Sequence, residues 1–277
     1  MTRATVLVPT HDHTTTLPWA VGSALRQTVA DLEVLVVGDG APPATHAWAE
    51  ALAAREPRFR FFPNGKGPRH GELHRHAALQ EARGEIVCYL SDDDLWLPDH
   101  VERLLTALPR VEFAHCLPTA VRPDASLHAW AADLALASAR ERVLGDDTLV
   151  PLSCVAHTLA AYRRLPFGWR TTPEGRPTDR HMWQQFLAQP WVRAASSAAP
   201  TCLHFASPER SGWSGERRAA ELAEWDARIR DARWCKRFFR RVARWTKTAI
   251  PPRPGAISLF QRLRRWAGAG RAGRAAP

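Results

Sequence analysis

The sequence predicts an α/β protein followed by a basic helical tail, and three observations carry that expectation. Short apolar runs rich in β-branched residues alternate with segments of helical periodicity from residue 4 to about residue 205. One such run, Ile86 to Leu90, ends in Ser91-Asp92-Asp93-Asp94 directly before another helical pattern, and open α/β sheets bind ligands at the carboxyl ends of their strands. Charge then divides the 277 residues. Residues 1–215 carry 21 Lys/Arg against 23 Asp/Glu, whereas 216–277 carry 17 against 5 and hold the whole basic excess behind the net charge of +10. The boundary drawn from this contrast separates a catalytic-type domain, 1–215, from a tail, 216–277.

Taken in order, Ala4 to Val8 is a first strand closed by Pro9-Thr10. His11 to Thr16 is a loop rich in capping residues, and Leu17, Ala20, Val21, Ala24 and Leu25 then share one helix face. Leu32 to Val37 is a second strand ending at Gly38-Asp39-Gly40. Pro42-Pro43 opens a helix to about Arg55, Phe59 to Phe62 is a third strand, and Asn64 to Gly67 is a turn. Glu72 to Arg83 is helical, and Gly84 to Leu90 contains the fourth strand. Beyond the acids, Pro98-Asp99 starts a helix whose apolar face is Val101, Leu104, Leu105 and Leu108. Val111 to Cys116 is a strand, 127–144 an Ala/Leu-rich helical pattern, and Ser153 to Ala156 a short apolar piece. Met182, Trp183 and Phe186 form the buried face of a helix over 178–186, and Thr201 to Phe205 is the last strand.

Side-chain chemistry narrows the function classes. Three adjacent carboxylates repel one another and suit a place where a cation neutralises them; oxygen donors of this type hold Mg²⁺ or Mn²⁺. An exposed acidic helix start is the competing explanation. Asp39 is either a nucleotide contact, since a carboxylate accepts imide N–H or ribose hydroxyl donors, or part of a plain Asp-Gly turn. Arg75 is either a bidentate diphosphate clamp or a surface helix residue. His11 and His13 lack a third ligand at helical spacing and are read as loop residues, and His70, His74 and His76 as polar residues without a zinc site. The five cysteines are odd in number and scattered, which points to reduced thiols in a cytosolic protein. No signal-peptide pattern opens the chain, and no apolar run approaches the roughly 20 residues that span a bilayer.

The stretch Ser91-Asp92-Asp93-Asp94-Leu95-Trp96-Leu97-Pro98 resembles the Asp-x-Asp and Leu-Trp-x-Pro pattern of family 2 inverting glycosyltransferases, and the likeness extends over roughly 4–205. The resemblance implies a GT-A fold: a Rossmann-like mixed sheet flanked by helices, acting on a nucleotide-sugar donor, with a UDP-sugar favoured. It places Pro9, Thr10, Asp39, Arg75 and Asp92 at the donor, Asp93 as ligand of Mn²⁺ or Mg²⁺, and Asp94 as a helix cap. Thr178-Asp179-Arg180-His181-Met182-Trp183 resembles the family's acceptor-site segment and implies Asp179 as general base; an N-cap role for Asp179 is compatible with this. His204 is read as an edge-strand residue, with metal ligation the lesser alternative. The family pattern is not met at Gly38, Ser91 and Thr178, which leaves open a glycosyltransferase-like protein that binds a nucleotide or glycan without turnover.

In the tail, Trp234, Phe238, Val242 and Trp245 recur at helical spacing among Arg and Lys, and Leu259, Phe260, Leu263 and Trp266 repeat the pattern. Such helices suit an anionic membrane, here through 233–266; docking on the domain and nucleic-acid binding are the alternatives, the last least favoured. The expectation is a cytoplasmic protein, peripheral on the inner face of the plasma membrane, working on a glycan or lipid-linked acceptor. Gly268 to Pro277 reads as disordered.

Overall fold

The structure is a computed structural model that describes residues 2–249 apart from 131, 146 and 148. The chain runs β1 (Ala4–Thr10), α1 (Leu17–Leu25), β2 (Leu32–Gly38), α2 (Pro43–Ala53), β3 (Phe59–Phe62), α3 (Glu72–Gln80), β4 (Ile86–Tyr89), β5 (Leu95–Trp96), α4 (His100–Ala107), β6 (Phe113–Val121), β7 (Leu127–Ala129), α5 (Ala137–Leu144), β8 (Val155–Thr158), α6 (Leu159–Arg164), α7 (Thr178–Leu187), β9 (Ala194–His204), α8 (Gly215–Arg230) and α9 (Ala232–Ala249). The strands form one mixed sheet in the order β3-β2-β1-β4-β8-β6-β9-β5, with β7 on β6. β3, β2, β1 and β4 are parallel, so Thr10, Gly38 and the end of β4 come out along one edge of the sheet. The chain steps from β1 to β2 and β3 on one side and returns to β4 on the other, which opens a ligand crevice beside β1.

Strand periodicity assigns the two faces. Val6, Val8, Val34, Val36, Ile86 and Cys88 pack with α1 and α4 on one side. Leu7, Leu35, Val37, Val87 and Tyr89 pack with α3, α6 and α7 on the other. β1, β2 and β4 carry apolar residues on both faces, as the parallel part of a sheet covered on both sides requires.

Three local expectations are corrected. Residues 127–144 are not one helix: Leu127–Ala129 pairs with Thr119–Val121, and helix begins only at Ala137. The strands expected at 111–116 and 201–205 are longer, because β6 and β9 pair along most of their length and pass a register shift between Cys116 and Pro118. α4 begins at His100 with Asp99 at its N-cap, so Asp94 is not a cap; Leu95 and Trp96 instead pair with Leu203 and Cys202.

α8 and the described part of α9 share a third apolar cluster with Leu95, Leu97, Leu203 and Phe205, through Leu222, Trp225, Ile229, Phe238 and Val242. Phe238 and Val242 are each 4% exposed, so the apolar face considered for membrane insertion is covered by the domain up to residue 242. The side chain of Trp245, the repeat at 259–266 and the end from 268 lie outside the described residues.

A neutral histidine is built into the core beneath β4. Trp169 Nε1–H donates to the Tyr89 hydroxyl (3.1 Å), which meets His157 Nε2 at 2.7 Å. His157 Nδ1–H donates to the Thr158 carbonyl (3.0 Å). Burial pushes the His157 pKa down from 6.5 to about 4, against the pull of that carbonyl. The unfolded chain therefore takes up the proton first. Stability is fully present above pH 6.5 and falls towards pH 4, on the order of 3 kcal/mol from this group. Denaturant unfolding measured across that range will show His157→Gln with a shallower acid slope; His115, also lowered to about 4 by burial, retains its own share.

Candidate active site

The three carboxylates after β4 point to three different partners. Asp92 Oδ1 accepts from His13 Nδ1–H at 2.8 Å, from the loop after β1. Asp93 Oδ2 accepts from Ser207 Oγ and from Arg218 NH2, each at 2.6 Å, the latter from the first turns of α8. Asp94 accepts from the Phe205 N–H at 2.8 Å, from the Ser153 hydroxyl, and faces His204 Nδ1 at 3.1 Å. Asp94 is fully buried. Burial opposes its ionisation, but the charge and hydrogen bond of His204, with Ser153 and Phe205, outweigh it and hold the carboxyl below its ordinary range. Burial, then the charges of Asp94 and Asp92, push Asp93 the other way, up to about 6. Two neighbours in sequence thus have opposite characters: Asp94 is a structural anion, and Asp93 is a carboxylate crowded by burial and by the charges of its neighbours.

His13, Asp92 and Asp93 offer ligand atoms all within 4.8 Å of one another. This donor set fits a hard divalent ion: two carboxylates supply oxygens, and the raised Asp93 gains most from a cation. Arg218 NH1 lies 2.9 Å from His13 Nε2, a contact that a ring protonated on Nδ1 alone can accept. The hydrogen bond to Asp92 dominates and raises the His13 pKa to about 9, against burial and the neighbouring guanidinium, so a metal ion on this ring would have to displace a proton.

These groups open onto a cleft of about 460 Å³ lined by residues including Pro9, Thr10, Asp39, Arg75, Asp92 and Asp93, the candidates named from sequence for the donor and the metal. Asp39 follows β2. Lys66 Nζ and the Gly67 N–H each donate to it at 2.6 Å. Burial resists its charge, but these donors outweigh that cost and lower its pKa. The close fit depends on Gly71, at φ +66°, where a Cβ would stand 2.6 Å from the Asp39 carboxyl carbon. Arg75 is not a surface residue: it is 8% exposed and stacks on Trp169 with its guanidinium carbon 4.9 Å from the ring centroid. NH2 donates to the His70 carbonyl at 2.9 Å, while buried Nε has no hydrogen-bond partner. A guanidinium held with a donor unpaired at a cleft is suited to an incoming anion.

Asp179 is the second residue of α7, with Pro177 at the N-cap, so it does not cap the helix. It is not among the cleft-lining residues, but it lies within electrostatic range of Arg75 and His204, and His204 in turn of Asp93. Desolvation raises the Asp179 pKa, against the Arg180 N–H and Arg75. Glu72, buried in α3, accepts from the Thr172 N–H at 3.2 Å and Thr178 Oγ1 at 3.3 Å, which ties the start of α7 to the helix that carries Arg75. His204 is not on an edge strand, since β9 runs between β6 and β5. Burial lowers its pKa but the Asp94 charge and hydrogen bond dominate and raise it to about 9.

Sequence reasoning missed His13, Lys66, Glu72 and Arg218. By sequence His13 is a loop residue near the nucleotide with no third ligand at helical spacing, whereas its companions Asp92 and Asp93 come from another strand's end. Arg218 gave no local signal among the tail's many arginines.

The architecture, a mixed sheet flanked by helices with a cleft and an acidic cluster at the carboxyl ends of parallel strands, is that of the GT-A glycosyltransferases. The chain belongs to glycosyl transferase family 2, which it matches over residues 5–168. It is 33% identical over 125 residues to a chondroitin synthase of Pasteurella multocida, covering 44% of this chain and 13% of that protein. It is 29% identical over 105 residues to a GalNAc(5)-diNAcBac-PP-undecaprenol beta-1,3-glucosyltransferase of Campylobacter jejuni, covering 38% of this chain and 34% of that protein. The chain therefore spans about a third or less of these relatives' length. Among solved structures, it is similar to a mannosyltransferase of Pyrobaculum calidifontis in complex with GDP-Man and Mn²⁺ (TM-score 0.55, 19% identity, 97% of this chain and 80% of that one). It is also similar to S. aureus TarS 1–349 in complex with UDP-GlcNAc (TM-score 0.55, 14% identity, 82% and 66%). At these identities the structural likeness speaks for the fold.

The opposite characters of the two neighbouring acids are measurable. Asp94→Ala removes the ion-pair partner of His204 and the acceptor of the Phe205 N–H and the Ser153 hydroxyl, and will cost about 3–5 kcal/mol in urea unfolding. Asp93→Asn keeps an oxygen that accepts from Ser207 and Arg218 and relieves repulsion from Asp92 and Asp94, which offsets the loss of charge opposite Arg218, and will cost less, about 1–2 kcal/mol.

Proposed function

We propose that this protein transfers a sugar from a nucleoside-diphosphate donor, a UDP-sugar, to an acceptor hydroxyl with inversion at the anomeric carbon. One observation carries the reading: the acid cluster, Asp39 and Arg75 converge on one cleft beside β1, with Asp179 in electrostatic range of Arg75. The family and the fold make nucleotide-sugar chemistry the natural occupant of that cleft.

Asp39, following β2, and Pro9-Thr10, ending β1, are suited to the nucleoside. Asp39 is kept ionised by Lys66 and Gly67 and can accept base or ribose donors. Arg75, lining the same cleft, receives the diphosphate. Asp93, with Asp92 and His13, would hold Mn²⁺ or Mg²⁺, which when bound supplies positive charge against the leaving diphosphate. Asp179 takes the acceptor proton as the acceptor oxygen bonds to the anomeric carbon and the bond to the diphosphate breaks. Desolvation makes Asp179 a stronger base than an ordinary carboxylate and requires that it first be deprotonated. Activity should therefore rise with pH through a pKa above 3.8.

The test is transfer from a panel of nucleotide-sugars, with Mn²⁺ or Mg²⁺ added or removed by chelation, and product stereochemistry read by NMR. Asp179→Asn will lower kcat by about 10²–10⁴-fold with little change in donor KM. Donor binding by all variants with no transfer or donor hydrolysis by the wild type would support a binding protein without turnover.

The relatives' printed activities suggest a glycan or lipid-linked acceptor for this chain also. No helix among the described residues is long and apolar enough to cross a membrane. Contact with an anionic membrane would instead be electrostatic, through the exposed Arg233, Lys236, Arg237, Arg240 and Arg241 of α9. Each is worth about 1 kcal/mol near such a surface. Replacing all five with Gln should weaken co-sedimentation with phosphatidylserine-rich vesicles, and deleting 233–277 should abolish it; unchanged binding after the deletion would remove the proposal.

A further inference from the structure

Arg218 comes from α8, beyond the segment that matches the family, yet its guanidinium lies inside the acid cluster. NH2 donates to Asp93 Oδ2 at 2.6 Å and contacts Ser207 Oγ at 2.8 Å; NH1 donates to His13 Nε2 at 2.9 Å. We infer that Arg218 is a built-in counter-cation that competes with the divalent ion for Asp93 and His13, so that ion entry requires the guanidinium to withdraw. The inference rests on the reading of His13, Asp92 and Asp93 as the ion's ligands.

A lone pair on Asp93 Oδ2 or His13 Nε2 serves either an N–H or a metal ion at one time. Arg cannot escape the conflict by losing its proton, because guanidinium stays charged in proteins. Its hold on the cluster is also incomplete: Nε is buried without a hydrogen-bond partner. The guanidinium satisfies Asp93 when no stronger cation is present, but this pose does not satisfy the guanidinium in full.

The start of α8 is tied down independently of the acids. Ser214 Oγ caps the helix through the Arg217 N–H at 3.3 Å, Thr15 Oγ1 donates to the Gly215 carbonyl at 2.9 Å, and Arg217 stacks on Trp213 at 3.7 Å. Thr15 belongs to the same loop as His13. The helix start and the loop therefore stay together, and withdrawal needs only rotation of the long Arg218 side chain. The consequence for the reaction is a site whose negative charge is balanced before the ion and donor arrive, at the cost of weaker ion binding.

The test is calorimetric binding of Mn²⁺ alone to the full chain. Arg218→Ala and Arg218→Gln are expected to bind Mn²⁺ about tenfold more tightly than the wild type, the gain when about nine-tenths of the free protein holds the site closed. Arg217→Ala, on the same turn but turned onto Trp213, should bind as the wild type does. Thermal melts establish that each variant is folded. Equal or weaker Mn²⁺ binding by both folded Arg218 variants overturns the counter-cation role while leaving the ion site standing. Loss of Mn²⁺ binding from the wild type and every variant overturns the ion site and this inference together.

Discussion

Three carboxylates in a row at the end of a buried strand must each find positive charge or hydrogen-bond donors, and much of the molecule answers that demand. Asp92 takes the imidazole of His13, Asp93 the guanidinium of Arg218, and Asp94 the imidazole of His204. The partners come from the loop after β1, from α8 and from the end of β9. The electrostatic requirement of one short sequence thus ties together segments more than 200 residues apart. Unlike surface ion pairs, these contacts lie where water screens little, so removing one partner exposes its mate to an uncompensated field.

The sheet makes this possible through topology. Because β1, β2 and β4 are parallel neighbours, their carboxyl ends deliver Thr10, Asp39 and the acids to one crevice. The long β6–β9 pairing returns the chain to the same place, so that His204 emerges beside Asp94. α3 sets Arg75 on the crevice from one face of the sheet, and Glu72 links that helix to the start of α7, where Asp179 lies within electrostatic range of Arg75.

Much of the fold was legible because local signals agreed. β3 and the start of α3 stand where apolar runs and periodicity put them, and the strand–acid–helix stretch marked the cleft. The errors share a cause: non-local pairing overrode local pattern. Leu127–Ala129 has the composition of a helix but is held as a strand by β6, and β9 extends back to Ala194 because β6 offers it a partner. Asp94 looked like a cap because a helix follows, whereas the two residues after it were captured by β9. Within the candidate site, Asp39, Arg75, Asp92 and Asp93 were visible from their positions at strand ends or in register with the acids. His13 and Arg218 were not, since their roles arise only when distant loops meet.

The packing of α8 on β5 reaches beyond the cleft. β5 is two residues long and ends the sheet, and its Leu95, with Leu97, Leu203 and Phe205, is covered by Leu222, Trp225 and Ile229. A sheet margin left bare invites pairing with a second chain, and apolar residues beside it would strengthen that attraction. The two helices after residue 215 therefore shield the margin from self-association. A version of the protein cut at that point would be prone to clump during synthesis, whatever became of its chemistry.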